Sequence, residues 1–88
     1  MFTKGEWITE YWGHGTSIWL NDRQPQTKQI AYLPHNHGIP MNEVEANAHL
    51  ISAAPIGHEL AEAVLNNMPR ATLEKIAMRF IDKAKIDY

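Results

Sequence analysis

The sequence predicts an α+β domain: a three-stranded antiparallel β-meander followed by three α-helices packed on one face of it. Three observations carry this expectation. Aromatic and β-branched residues concentrate in the first third of the chain. Glycine, asparagine and proline punctuate that third at short intervals, and from Val44 onward apolar residues recur at helical spacing.

The first strand is expected in GEWITEYW (5–12), which is rich in residues that favour a pleated, half-buried surface. GHG (13–15) is a turn able to take positive φ, and TSIWL (16–20) is the second strand. NDRQPQ (21–26) holds turn formers and a proline, so it loops into the third strand, TKQIAYL (27–33). PHNHGIP (34–40) is a connector. Asn42 is placed to cap the first helix, with Glu45 three residues later as in a capping box. Val44, Ala48 and Ile51 share one face of that helix; Asn47 lies beside them and needs a hydrogen-bond partner if buried. Pro55 and Gly57 are expected to break it. A second stripe follows in Ile56, Leu60, Val64 and Met68, with Ala61 and Leu65 alongside. Pro69 restarts the chain, and Leu73, Ile76, Ala77, Phe80, Ile81 and Ala84 follow the helical period most closely. One domain over 1–88 is expected, with a β-region at about 5–33 and a helical region at about 42–86.

Composition narrows the function. The chain has no cysteine, which excludes disulfides, thiolate metal sites and a cysteine nucleophile. No apolar run approaches membrane-spanning length, and Met1-Phe2-Thr3-Lys4 leads into no signal-like core, so a cytosolic protein without membrane contact is expected. The net charge of −2 hides a gradient. Residues 41–68 carry only acids (Glu43, Glu45, Glu59, Glu62), whereas the tail from Pro69 carries five basic residues against Glu74, Asp82 and Asp87. That balance lacks the basic footprint of a dedicated nucleic-acid binder.

The stretch EANAHLISAAP (45–55) has two readings. Its alanines let a helix approach a sheet or another helix closely, so packing and helix termination explain it without chemistry. It also resembles the middle of a family of small phage and prophage proteins of mostly unknown function, with an E-A-N-A-x-L-I-x-A-A-P helix after a tryptophan-bearing β-region. Glu43, Glu45, Ala46, Asn47, Ala48, Leu50, Ile51, Ala53, Ala54 and Pro55 match, and Gly5-Glu6-Trp7 and Ile18-Trp19 resemble the upstream region. The resemblance spans about residues 5–65 and departs at Ile56-Gly57-His58, where the family continues with an acidic residue and two leucines. It implies a phage or prophage source, hence a host bacterial cytoplasm, and supplies no catalytic residues.

Catalytic constellations are weak. His14, His35 and His37 would make a three-ligand zinc site only if the connector turned the rings inward, and a solvated loop is the plainer reading. Ser17 and Ser52 lack a nucleophile-elbow sequence, and the glycines form no phosphate loop. Lys75, Arg79 and Lys83 form a basic stripe that is either a solvated helix face or a phosphate contact. No enzyme and no cofactor are expected.

The aromatic residues say more. Alternation puts Trp7, Thr9 and Tyr11 opposite Ile8, Glu10 and Trp12, Ile18 and Leu20 opposite Trp19, and Ile30 and Tyr32 opposite Ala31 and Leu33. Large apolar groups thus fall on both faces, although helices on one side cover only one. Either the strands are irregular and the rings fold over an edge into the core, or a patch stays exposed, which is then expected around Trp12, Trp19 and His14, with Glu6 and Glu10 as an acidic rim suited to a basic partner. The expected function is that of a non-enzymatic phage-encoded protein that binds and inhibits a host protein, such as a nucleic-acid-binding component of a bacterial antiviral defence system, in the manner of an anti-CRISPR. The alternatives are a small nucleic-acid-binding or regulatory phage protein using Lys75, Arg79 and Lys83, and a metal-dependent hydrolase on the three histidines. A homodimer is compatible with all of them.

Overall fold

A computed structural model describes residues 2–21, 28–35 and 38–85. The chain runs β1 (Trp7–Trp12), β2 (Gly15–Leu20), β3 (Gln29–Pro34), α1 (Met41–Ser52), α2 (Ala54–Leu65) and α3 (Arg70–Ala84). The strands form one antiparallel sheet in the order β1-β2-β3, so the expected meander and the three helices after it are present. No described helix is long and apolar enough to cross a membrane. Most of the expected loop at 21–26, the start of the third strand at residue 27, His37 and residue 86 lie outside the described residues.

Trp12 pairs with Gly15, so Gly13 and His14 alone make the first turn. Neither takes positive φ; among the described glycines only Gly5 and Gly38 do. The expected left-handed turn is therefore not used. Between β2 and β3 the register slips: Ile18 pairs with Ala31, but Trp19 pairs with Gln29. Ile30 is left over as a bulge, and Gln29 swings onto the face that Tyr32 occupies.

The helix-facing side of the sheet carries Trp7, Thr9, Tyr11, Thr16, Ile18, Leu20, Ala31 and Leu33. Helix α1 lies across it and touches all three strands, while α3 packs on α1 and on α2. Ile18, Ala48 and Ala53 are completely buried, with Val44 and Ser52 almost so. Ala48 and Ala53 are the buried alanines of the alanine-rich stretch, and the methyl group of Ala48 adds little thickness where α1 packs on β2.

Several local expectations shift. Asn42 does not cap α1, which has Pro40 at its N-cap and no side-chain cap. The Pro40 carbonyl instead accepts the Glu43 and Val44 N–H groups at 3.0 and 3.1 Å. The buried face of α1 is Val44, Ala48 and Ser52, an i, i+4, i+8 row, which turns Asn47 to solvent. Pro55 and Gly57 do not break the helical run for long. Ala53 alone separates α1 from α2, and Pro55 falls in the first turn of α2, where a missing N–H costs nothing. Gly57 is inside α2 because a Cβ there would crowd the Phe80 ring of α3, 3.2 Å away. The stripe expected on α2 is only partly covered: Ile56 and Leu60 are half-buried, but Val64 is 53% and Leu65 82% exposed, and the buried residue of α2, Ala63, lies outside that stripe. Helix α3 follows its predicted stripe, with Pro69 at its N-cap and Ile76 and Ala84 buried.

His49, in the last turn of α1, sits half-buried, and Ser52 Oγ donates to its carbonyl at 2.8 Å. Burial first, then the Lys85 charge, lowers its pKa from the usual 6.5; Glu45 opposes this and Lys83 adds to it. The unfolded chain therefore takes up this proton before the folded one does. The contribution of His49 is most favourable with the ring neutral, and stability is lost as pH falls from above 6.5 through the lower folded value. The His49→Gln chain should accordingly lose less stability than the parent between about pH 7.5 and about pH 5, measured as urea midpoints. Equal losses in both chains would exclude His49 as a source of acid sensitivity.

Candidate protein-binding face

The side of the sheet away from α1 is built by strand alternation from Ile8, Glu10 and Trp12 of β1, Ser17 and Trp19 of β2, and Tyr32 of β3. The bulge at Ile30 adds Gln29. Ser17, only 2% exposed, is the hub. Its Oγ accepts the Trp12 indole N–H at 3.1 Å and the Gln29 amide at 3.0 Å, which uses both acceptor positions of a hydroxyl. The Tyr32 hydroxyl donates to the His14 carbonyl at 3.0 Å. The His14 ring stands between the other two, with its centroid 6.4 Å from that of Trp12 and 5.9 Å from that of Tyr32.

The result is a row of three rings beside a shallow depression of about 260 Å³ lined by Trp12, His14, Ser17, Trp19, Gln29 and Tyr32. Trp12 is 37% and Tyr32 40% exposed. Trp19 sits deeper: its ring is half-buried, and its indole N–H is buried without an acceptor among the described residues. Trp12, Trp19, Glu10 and His14, singled out from the sequence, thus share this face. Glu6 does not. It precedes β1 at the end remote from Trp12, and its carboxylate accepts the Asn21 amide at 2.7 Å. Sequence reasoning missed Ser17 and Gln29 as parts of this face, because a small serine gives no signal and the bulge reverses the parity of Gln29.

Gly15 keeps Tyr32 in place. A Cβ at this position would collide with the Tyr32 ring and hydroxyl. Gly15→Val should swing Tyr32 away and break its bond to the His14 carbonyl. The effect on folding should be small, since the colliding atoms belong to the end of a movable side chain. Tyrosine fluorescence and the near-ultraviolet dichroism of the aromatic row should change while the far-ultraviolet spectrum stays. Unchanged near-ultraviolet dichroism would mean that Gly15 does not seat the ring.

The other candidates come apart. His14 and His35 share a backbone bond, His35 N to His14 O at 2.9 Å, yet their rings lie on opposite faces. The His35 ring is 5.3 Å from that of Tyr11 and its Nε2 is 3.2 Å from Thr16 Oγ1, both on the helix side. Among the described residues, no group of three histidine, aspartate or glutamate side chains is placed to hold a metal ion. The basic stripe is also divided: Arg79 bonds Glu59 at 3.2 Å, and Arg79 and Lys83 both line a cavity of about 470 Å³. That cavity, between the N-terminal arm and α2–α3, also takes in Phe2, Glu6, Trp7 and His58. At its wall His58 Nδ1 lies 2.8 Å from a Glu62 carboxylate oxygen.

Fold and surface together define a small α+β protein whose sheet is backed by a helix on one side and presents an aromatic row on the other. No family model, curated protein or solved structure matches this chain.

Proposed function

We propose that this chain is a non-enzymatic binding protein, and that its partner is a protein presenting a basic surface to Trp12, Trp19 and Tyr32. One observation carries the proposal: Trp12 and Tyr32 are 37% and 40% exposed on a sheet face that no described helix covers, yet both are held by hydrogen bonds. Rings fixed in advance lose little freedom on binding, and tryptophan and tyrosine commonly supply most of an interface's energy. Aromatic faces attract arginine and lysine, and Glu10 on the same face favours the same sign of partner charge. From the resemblance of residues 45–55 to small phage and prophage proteins, the chain is phage-encoded and the partner is a host protein. A nucleic-acid-binding component of an antiviral defence system fits the required basic groove. The chain acts as its inhibitor by occupying that groove.

The test uses immobilised chain in bacterial lysates that differ in their defence systems. A stoichiometric protein should be retained by the parent chain, lost with Trp12→Ala, and released by added nucleic acid. Retention unchanged by Trp12→Ala would move the interface elsewhere. Release by neither salt nor nucleic acid would overturn the basic groove as its target.

A further inference from the structure

The chain exposes more surface than its mass requires. A compact monomer of 10.1 kDa exposes about 5,300 Å², whereas this one exposes 6361 Å². Its radius of gyration is 14.4 Å, against about 12 Å for a compact domain of this length. Part of that surface lies on α2, where Val64 is 53% and Leu65 82% exposed.

The most exposed large apolar side chain among the described residues is Leu65 of α2, at 82%. Leu60, Ala61, Val64 and Leu65 form a continuous uncharged patch on α2, since Leu60–Val64 and Ala61–Leu65 are four apart and Ala61–Val64 three apart, the spacings that adjoin on a helix surface. Beside it runs an apolar groove of about 470 Å³, formed by Leu60 and Met68 on one side and Leu73 and Ala77 of α3 on the other. Arg70 and Glu74, at its edge, neutralise each other at 2.9 Å. A patch without net charge, on a chain whose net charge is only −2, meets its own copy with little repulsion.

We propose that the α2–α3 face binds a second copy of this chain in a two-fold dimer, Leu65 of each copy entering the Leu60–Met68–Leu73–Ala77 groove of the other. Such an interface is self-complementary, because knob and groove lie side by side on one surface. Ala61 between them lets the two α2 helices come close. The aromatic sheet face takes no part, so the dimer and the partner site are independent.

Sedimentation equilibrium of the full chain tests this. The parent should sediment at twice 10.1 kDa and Leu65→Arg at 10.1 kDa, with an unchanged far-ultraviolet spectrum because Leu65 is already exposed. Val64→Ser, at a position 53% exposed, should weaken the dimer without abolishing the fold and serves as the second variant. Trp12→Ala should leave the dimer intact. A parent chain that stays monomeric up to about 0.1 mM, which excludes dissociation constants of about 0.1 mM or tighter, would overturn the proposal. A dimer that survives in both Leu65→Arg and Val64→Ser would overturn the assignment of this face.

Discussion

Ile18→Ala should lower the melting temperature by more than about 10 °C, the largest stability effect expected of any single truncation in this chain. Among the described residues, Ile18 is the one large side chain with no exposure at all. It sits in the central strand between Thr9 and Ala31, under the α1 row of Val44, Ala48 and Ser52. Truncating a buried isoleucine costs about 2–5 kcal/mol, the upper part of that range applying where the surroundings cannot collapse. Collapse is poor here because the residues directly paired with it, Thr9 and Ala31, and Ala48 and Ser52 of the α1 row have no long side chains to move into the space. A domain of this size has about 4–13 kcal/mol in all, so the loss is a large fraction of it. Ile18→Val, which removes one carbon, should cost only about 0.5–1.5 kcal/mol. Thermal melts at one fixed protein concentration check both, since association would add its own concentration dependence. Equal melting of parent and Ile18→Ala would mean that the core lies elsewhere.

The same small core explains which parts of the fold could be read in the sequence. Strand alternation was legible, because Trp7, Thr9 and Tyr11 do face the helices and Ile8, Glu10 and Trp12 do not. The bulge at Ile30 was not, since no glycine or proline marks it and TKQIAYL continues the alternation without a break. That one-residue slip is what brings Gln29 to Ser17. On α1, the alanine-rich stretch was legible as a packing device, but the end of its buried face was not. Val44 and Ala48 were read as its packed face and are buried, but Ser52 rather than Ile51 completes the row, and Asn47 turns to solvent. On α2, periodicity overstated burial: Val64 and Leu65 continue the apolar pattern beyond the point where α3 and α1 can cover it. A pattern that outruns its partners within the monomer is the sequence counterpart of the excess surface.

The placement of Glu6 followed a similar course. It was expected at the rim of the patch around Trp12, but β1 is extended, and Glu6 precedes it at the end remote from Trp12. Asn21, brought back by the hairpin, then takes up the carboxylate. An acidic rim on the aromatic face therefore rests on Glu10 alone among the acids singled out. The long-range partner of a side chain at a strand end depends on the register of the neighbouring strand, which composition does not encode.

Trp12→Ala should weaken partner binding by at least about 30-fold while leaving the melting temperature almost unchanged, and Trp7→Ala should do the reverse. The two residues open and close the same strand but face opposite ways. Trp7 lies half-buried on the helix side, its indole N–H donating to the Thr3 carbonyl at 3.0 Å and its ring edge-on to Phe2 at 6.3 Å. Removing it empties part of the core and frees the N-terminal arm. Trp12 is more than one-third exposed, and its one hydrogen bond goes to Ser17, which keeps a second donor in Gln29 when the indole is gone. Little folding free energy is therefore at stake, whereas a central interface tryptophan is commonly worth 2 kcal/mol or more, about a 30-fold change in affinity. Trp19→Ala should fall between them, because its ring is half-buried and its N–H is fully so. Calorimetric titration of the purified partner, alongside thermal melts of each variant, reads the two effects separately. Full affinity in Trp12→Ala would remove the aromatic row from the interface. A collapse of its melting temperature would make that tryptophan a core residue and leave the outer face without its central contact.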